Sequence, residues 1–333
     1  TVQIAWGGGT PTYLPPELIE HLAATLRKHF PLAADAEVAI EVDPRVTTRE
    51  HVRAIARAGF NRISMGIQDF DPAVQEEIHR VQSFETTRDL IGWCREDGIA
   101  SVNVDLVYGL PLQTLAGFEA TLDRVFDLAP DRISAFSYAH VPWMKPAQKK
   151  FDEATIPAGP EKFAIFVRMV ERLTGGGYEF IGMDHFAKPG NELAEAQLTG
   201  GLWRNFQGFT TKSGTDLVGL GMTAISSVAG RFAQNEKDLV AWTAAVASGR
   251  LPTIKGLETT EDDRIREAVI QRVMCDDRFS LKETSERFGI DARAYFADDL
   301  PKLAPHEESG MLVRDDDGFE LTSRGRVFVR NVC

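Results

Sequence analysis

The sequence predicts an α/β protein built on a parallel sheet, followed by a smaller and mainly helical module. Three observations carry that expectation. Between residues 1 and about 142, short β-branched or apolar runs alternate with amphipathic helical stretches. Each run empties into polar residues or glycine. From residue 232 the alternation stops, and helical segments followed by a two-stranded turn replace it. Strands alternating with helices of this length are joined by right-handed crossovers, as in a barrel or an open doubly wound sheet.

Taken in order, the strand runs are Val2 to Trp6, Ala36 to Val42, Asn61 to Ile67, Ser101 to Tyr108 and Arg132 to Tyr138, with a sixth expected at Tyr178 to Met183. The helical stretches between them include Pro15 to Phe30, where Leu18, Leu22 and Leu26 recur every four positions, and Thr48 to Phe60. Next come Ser83 to Asp97, with Leu90, Ile91 and Cys94 inward, and Thr114 to Leu128, with Phe118, Leu122 and Phe126. Further helices are expected at Glu236 to Ser248, Glu261 to Met274, Leu281 to Phe288 and Asp291 to Leu303. Met311 to Arg314 and Phe319 to Leu321 flank an Asp315-Asp316-Asp317-Gly318 turn, and a last helix runs from Thr322 to Asn331. The expected division is a first domain over 1–231, whose segment 178–231 faces the ligand, and a second over 232–333 that is winged-helix-like.

With 333 residues, 43% apolar and 26% charged, the chain can bury a full core. No run approaches the roughly 18 apolar residues of a membrane span. A formal charge of −12 argues against broad binding to nucleic acid or anionic membranes. An anionic small molecule would then need a local basic pocket. Cys94, Cys275 and Cys333 are too scattered for a disulfide framework or a Cys-x-x-Cys site, and they fit a reducing, cytoplasmic compartment. Thr1 in place of Met, so close to a strand, leads to the expectation that a longer protein begins upstream.

In parallel α/β folds, ligands gather where the strands' carboxyl ends open. The first run ends in Gly7-Gly8-Gly9-Thr10-Pro11-Thr12, backbone able to take positive φ and to lie close against a ligand. The other ends read Glu41-Val42-Asp43-Pro44, Ile67-Gln68-Asp69-Phe70, Asp105-Leu106-Val107-Tyr108-Gly109 and Tyr138-Ala139-His140. Each residue alone has a plainer reading: Glu41 or Asp43 as a rim charge or helix cap, Asp69 as the cap of the helix starting at Asp71-Pro72. Gln68 and Asp105 follow apolar neighbours and are costly unless partnered. Together the five ends argue for one shared ligand. No Walker sequence or Gly-x-Gly-x-x-Gly occurs, so neither a nucleoside triphosphate nor a dinucleotide is indicated.

Gly-Gly-Gly-Thr-Pro-Thr-Tyr-Leu at 7–14, Glu-Val-Asp-Pro at 41–44, Ser-Met-Gly-Ile-Gln-Asp-Phe at 64–70 and Asp-Leu-Val-Tyr-Gly-Leu-Pro at 105–111 resemble the radical S-adenosylmethionine branch that contains the oxygen-independent coproporphyrinogen III oxidases. These motifs do not separate the oxidases from their haem-chaperone relatives. Phe-Ile-Gly-Met-Asp-His-Phe-Ala at 180–187, Arg-Asn-Phe-Gln-Gly-Phe-Thr-Thr at 204–211 and Asp-Leu-Val-Gly-Leu-Gly-Met-Thr-Ala-Ile-Ser at 216–226 resemble the oxidases specifically.

The resemblance implies a three-quarter (β/α)6 barrel with a C-terminal cap, a [4Fe-4S] cluster and two S-adenosylmethionine molecules. By motif match, Gly8, Glu41 and Ile225 surround the cluster-bound molecule, and Gly9, Thr10, Gln68, Arg80, Asp105 and Ala139 surround the second. Arg80 alone reads as a surface charge on a helix. In this setting its guanidinium suits the ligand's carboxylate, while Glu41 and Asp105 suit its ammonium, sulfonium and ribose hydroxyls. The family's Cys-x3-Cys-x2-Cys loop has no counterpart among these residues. The expectation is that the first βα unit, with that loop, lies before Thr1, and that the family continues past Cys333.

The implied reaction is decarboxylation of two propionates of coproporphyrinogen III to vinyl groups, giving protoporphyrinogen IX. A 5′-deoxyadenosyl radical is needed because no side chain abstracts an unactivated C–H hydrogen. The substrate's four carboxylates call for local cations, and Arg204, Lys212, Lys145 and Arg231 are candidates. Gln207 joins them as a polar contact, and Tyr138, His140, Trp143, Phe206 and Phe209 could line the macrocycle. Asp184-His185 lacks the further ligands of a metal site. An electron donor and an electron acceptor are implied, and a monomer is expected. Two other functions are weighed beside the oxidase: a haem- or porphyrin-binding chaperone on the same scaffold, and a winged-helix regulator, which the acidic residues around 276–277, 307–308 and 315–317 oppose.

Overall fold

The computed structural model describes residues 1–333 and divides into two compact units, Thr1–Glu195 and Ala196–Cys333. That division falls earlier in the chain than the boundary at 231/232 expected from the sequence pattern.

In the first unit, β1 (Gln3–Trp6), β2 (Glu37–Val42), β3 (Arg62–Gln68), β4 (Ser101–Tyr108) and β5 (Arg132–Ser137) lie parallel and in chain order. Between them run α1 (Pro16–His29), α2 (Arg49–Arg57), α3 (Pro72–Glu77) with α4 (Phe84–Glu96), and α5 (Leu115–Leu128). Because the strand order never reverses, every crossover advances the sheet in the same direction. That is the winding of a barrel wall and not of a doubly wound sheet. After α6 (Gly159–Gly175), β6 (Glu179–Gly182) forms as expected, but it does not join β5 directly. The chain turns through Met183-Asp184, with Met183 at φ 51°, and β7 (His185–Ala187) returns to pair antiparallel with β5, leaving β6 outermost. The Asp184 carbonyl accepts from the Ala135 amide at 2.7 Å, so the turn itself extends the β5 ladder. A three-residue strand is too short to show alternation, which is why the sequence reading found the strand without the hairpin.

Alternation sorts the two faces of the sheet. Val38, Ile40 and Val42 of β2, Ile63, Met65 and Ile67 of β3, and Val102, Val104 and Leu106 of β4 are buried, together with Val52 and Ile55 of α2, Leu90, Ile91 and Cys94 of α4, and Phe118 and Leu122 of α5. The positions between them carry Glu37 and Glu41, Ser64 and Gly66, Asn103 and Asp105. The sheet thus has an apolar outside and a polar inside. Helix α1 departs from the expected stripe: Ile19 and Ala23 are buried, while Leu18 and Leu22 are exposed, so its inward face is rotated by one residue.

At the amino ends of the strands the polar inside is closed by ion pairs. Arg62 meets Glu37 at 2.9 Å and also pairs with Glu192, at the start of α7 (Glu192–Thr199); Arg132 pairs with the same Glu192 and donates to Asn191 at 3.0 Å. Burial, aided by repulsion from Arg62, lowers Arg132 to about 10.

The second unit opens with a hairpin of β8 (Trp203–Asn205) and β9 (Gly208–Thr210). An antiparallel sheet follows, of β10 (Ile225–Val228), β11 (Arg231–Asn235) and β12 (Thr253–Glu258), with α8 (Leu239–Ala247) between the last two. This sheet was not foreseen. Its strands are mixed in polarity and half-exposed, so they lack the alternation that marked the barrel. Then come α9 (Glu261–Asp276), β13 (Arg278–Ser280), α10 (Leu281–Phe288), α11 (Ala292–Tyr295) and α12 (Ala304–Glu308), ahead of the wing β14 (Leu312–Arg314) and β15 (Gly318–Leu321). The wing has three strands and not two, because β13 pairs with β15. The helix expected over 291–303 is cut to one turn, a 3-10 turn follows at Leu300–Leu303, and Pro301 removes an amide donor there. The last helix breaks at Phe328 into α13 (Ser323–Val327) and α14 (Val329–Val332).

One buried network holds the carboxyl-end loops of β3 and β4 in place. Asp69 is fully buried and does not cap α3; Asp71 does, accepting from Ala73 at 2.8 Å. Asp69 instead accepts from Thr121 Oγ1 at 2.5 Å, Gln113 Nε2 at 2.5 Å and the Asp71 amide at 2.8 Å. Gln113 in turn accepts from the Gly109 amide at 2.5 Å and the Leu110 amide at 3.3 Å. Burial pushes the Asp69 carboxyl up in spite of these donors. Gln113→Ala strands a buried carboxylate oxygen and two amides at once, and is expected to lower stability by about 2–4 kcal/mol. Urea unfolding with an unchanged midpoint would contradict this.

Candidate functional site

The glycine loop after β1 is shaped by Glu41. Gly8 and Gly9 sit in the left-handed region, at φ 77° and 65°, and the Gly8 N–H donates to Glu41 Oε2 at 3.1 Å. A Cβ on Gly7 would stand 2.7 Å from the Glu41 carboxylate, so Gly7 is glycine to make room for that side chain. The loop then runs through Thr10 into a 3-10 turn, Pro11–Tyr13, whose Thr12 hydroxyl lies 2.9 Å from Thr47 Oγ1.

At the end of β3 the ladder with β4 shifts register between Gly66 and Gln68, and Gln68 takes φ 67°. A left-handed residue with a full side chain at a bulge re-aims that side chain. The Gln68 amide folds back over Gly66, where a Cβ would meet its Nε2 at 2.4 Å. Arg80, from the segment between α3 and α4, donates to the Gly66 carbonyl at 3.1 Å and lies 3.5 Å from Asp43. Its Nε has no acceptor within the protein. Burial lowers Arg80, against the opposing pull of Asp43.

Asp105 lies on the inner face of β4. Its Oδ1 accepts from Asn103 at 2.8 Å and its Oδ2 from Ser64 at a long 3.4 Å. Its carboxyl is pushed up to about 6, by burial first; the Glu41 charge adds to this, while Asn103, Ser134 and Ser64 pull the other way.

These groups surround a cleft of about 180 Å³ at the carboxyl ends of β1 to β4. Gly9, Thr10, Glu41, Gln68, Arg80 and Asp105, all read from the sequence, line it together. Gly8 stands behind Glu41 as its hydrogen-bond donor. Ala139 is not among the lining residues; it is exposed two positions beyond β5, its carbonyl accepting from Gln148 at 3.0 Å. Asp43, weighed in the sequence beside Glu41 as a rim charge or helix cap, also lines the cleft, and Ser64 and Gly66 line it without having been singled out. Their signal lay in the strand alternation, since all the inward positions share one wall.

The cleft's chemistry fits S-adenosylmethionine. An arginine lining the cleft suits a carboxylate, two carboxylates suit an ammonium and ribose hydroxyls, and a bare glycine backbone lets a flat adenine approach.

Comparison with known proteins agrees. The Radical SAM superfamily model matches residues 1–125 and the HemN C-terminal domain model matches residues 259–328. A protein of Synechocystis sp. named oxygen-independent coproporphyrinogen III oxidase is 45% identical over 99% of this chain and 72% of its own length; its Escherichia coli namesake is 44% identical over the same shares. The chain belongs to the oxygen-independent coproporphyrinogen III oxidase family. The solved structure of the Escherichia coli coproporphyrinogen III oxidase, described as a radical SAM enzyme, superposes with a TM-score of 0.97 at 43% identity, covering 100% of this chain and 76% of that one. Radical SAM membership implies a [4Fe-4S] cluster, but the cysteines present do not fit one. Cys94 and Cys275 are buried, with thiols pushed up to about 12 chiefly by burial, and no group of three metal-binding side chains occurs.

The remaining family positions lie in the second unit. Ile225 begins β10 and is partly exposed; Arg204 is half-buried on β8, its guanidinium 5.9 Å from the Phe209 ring centroid and its backbone clasped by Gln271 at 2.7 and 3.1 Å. Phe206 and Gln207 form the exposed tip of the β8–β9 hairpin, and the Lys212 amide donates to Thr210 Oγ1 at 3.1 Å. Arg231 pairs with Glu258 at 2.6 Å across β11 and β12, which offsets its charge. In the first unit, Lys145 is exposed beside the exposed Trp143 and Met144, and His140 lies between the Tyr138 hydroxyl at 3.1 Å and Glu153 at 3.2 Å.

The raised Asp105 has a consequence for stability. Its native value of about 6 exceeds the ordinary 3.8, so ionising it opposes folding, increasingly between those values and fully above them. Asp105→Asn is therefore expected to stabilise the ligand-free protein by about 1–3 kcal/mol at pH 8, with the gain vanishing by pH 4. Thermal unfolding at the two pH values reads this directly; an equal change at both would contradict it.

Proposed function

We propose that the protein performs the oxygen-independent oxidative decarboxylation of two propionate side chains of coproporphyrinogen III, giving the vinyl groups of protoporphyrinogen IX, with the β1–β4 cleft as its S-adenosylmethionine site. The observation that carries this is the convergence of Glu41, Gln68, Arg80 and Asp105 on one cleft, in a chain 41–45% identical to proteins named for that oxidase. S-adenosylmethionine, when bound, supplies hydrogen-atom abstraction, which an unactivated propionate C–H demands and no side chain performs.

The protein's residues bind, orient and exclude water. Arg80 offers its fork to the amino-acid carboxylate, Glu41 and Asp105 accept from the ammonium and ribose hydroxyls, and the Gly8-Gly9-Thr10 backbone lies against the remainder. In the reading we favour, two S-adenosylmethionine molecules are held. In the first unit, Gly8 and Glu41 are assigned to one, and Gly9, Thr10, Gln68, Arg80, Asp105 and Ala139 to the other. What supports this is that lining residues of both sets occur around one cleft. Arg204, Lys212 and Gln207 are proposed to receive the tetrapyrrole's carboxylates, a role suited to Arg204 because Phe209 and Gln271 hold it in one place. An electron donor and an electron acceptor complete the reaction, and the proposed setting is a cytoplasmic monomer. No helix is long and apolar enough to cross a membrane.

In anaerobic turnover with reductant, S-adenosylmethionine and coproporphyrinogen III, Gln68→Ala is expected to abolish protoporphyrinogen formation without shifting the thermal unfolding midpoint. Wild-type rates would remove the site assignment, and stoichiometric haem binding without turnover by the unaltered protein would select a chaperone. Arg204→Ala is expected to raise the KM for the tetrapyrrole about tenfold while sparing S-adenosylmethionine affinity. An unchanged KM would return Arg204 to a structural role.

A further inference from the structure

Asp43 is buried, yet it faces two arginines unequally. Arg45, two residues on and exposed, grips it with its own amide at 3.0 Å, with Nε at 3.0 Å and with Nη2 at 2.6 Å. Arg80 reaches the same Oδ2 only at 3.5 Å, beyond hydrogen-bond range, and spends its Nη2 on the Gly66 carbonyl. The turn that carries Asp43 is fixed from below: Thr47 donates its hydroxyl to the Asp43 carbonyl at 2.7 Å and lies 2.9 Å from the Thr12 hydroxyl beside the glycine loop. Arg45 itself does not line the cleft, whereas Asp43 and Arg80 do.

From this geometry we infer that Arg45 is a positioning residue which, by gripping the Asp43 carboxylate, leaves Arg80 only loosely paired with it and so open to the carboxylate of an amino-acid-bearing ligand. Of the roughly four lone-pair directions of the Asp43 carboxylate, Arg45 takes two at Oδ1, through its amide and Nε, and one at Oδ2, through Nη2. Whichever grips it bidentately leaves the other with charge to spare. Here the exposed arginine has the grip, and the cleft arginine lies against the same carboxylate only at 3.5 Å while lining the cleft. Without Arg45, Asp43 would turn its lone pairs onto Arg80 and compete with the ligand. The Asp43 carboxyl stays ionised for this task, because Arg45 holds it below the usual range even though burial pushes the other way.

This rests on the reading of the cleft as an S-adenosylmethionine site, and the test separates the two. S-adenosylmethionine and 5′-methylthioadenosine, which lacks the amino-acid carboxylate, are titrated calorimetrically into wild-type, Arg45→Ala, Arg45→Lys, Asp43→Asn and Arg45→Ala/Asp43→Asn proteins. Failure of the wild type to bind S-adenosylmethionine would overturn the reading of the cleft, and this inference with it. With the wild type binding, Arg45→Ala is expected to weaken S-adenosylmethionine about three- to tenfold and to leave 5′-methylthioadenosine unchanged. In the Asp43→Asn background the same substitution should have no further effect, because the residue acts through that carboxylate. Arg45→Lys keeps the charge but loses the fork, so it should share the defect, and this comparison stands even if Asp43→Asn does not fold. The inference is overturned by wild-type affinity in Arg45→Ala, by equal weakening of both ligands, by an undiminished effect in the double variant, or by full recovery in Arg45→Lys.

Discussion

Two carboxylates facing each other across a polar barrel wall set the terms for everything around them. Glu41 on β2 and Asp105 on β4 are separated by one strand, and their repulsion helps to push Asp105 up to about 6. Like charges in a sheltered site are tolerated only where something answers them. Part of the answer is local: Gly8 donates to Glu41, and Asn103 and Ser64 donate to Asp105. The intervening strand contributes by what it lacks, since β3 places Ser64 and Gly66 where larger side chains would fill the space between them. The rest of the answer is left to a cationic ligand, and this is how a chain of charge −12 comes to have an acidic cleft with a single arginine at its edge.

The parallel half of this architecture was legible in the sequence because its strands obey a strict period. Val102, Val104 and Leu106 point one way, Asn103 and Asp105 the other, and such a pattern survives without knowledge of the partners. The glycine loop, Glu41, Gln68 and Asp105 were read for the same reason, being attached to the ends of readable strands, whereas Arg80 was named only through the family motif. What escaped notice was decided by contacts distant in sequence. Asp69 read as a helix cap because Asp71-Pro72 follows it, and only Gln113 and Thr121, on the other side of β4, make it a hub. Leu18 and Leu22 of α1 matched a helical stripe, but so did Ile19 and Ala23, and the choice between neighbouring faces depends on what the helix meets. The β10–β12 sheet left no periodic trace, since neither of its faces is fully buried. Asp43 stood in a motif already noticed, and Arg45 follows directly after it. Their joint role depends on Arg80 approaching from a different loop, which no spacing rule brings to them.

Asp69 and Asp105 show what separates a structural carboxylate from a functional one when both are sheltered on adjoining strands. Both are pushed up by burial. Asp69 has each oxygen met by a short bond from Thr121 or Gln113 and a further amide from Asp71, so nothing remains to be satisfied and no space is left beside it. Asp105 has one good donor, one long contact, a repelling neighbour and a cleft in front of it. The first arrangement also carries the cost of burying a charge, but its donors are complete and no ligand can reach it to relieve that cost. The second keeps a cost in the folded state that a suitably charged ligand would remove, and removing it adds to the binding energy of that ligand. Composition and sequence position are nearly the same for the two residues, each close to the carboxyl end of a parallel strand. Only the count of donors reaching each oxygen tells them apart, and that count is a property of the assembled barrel.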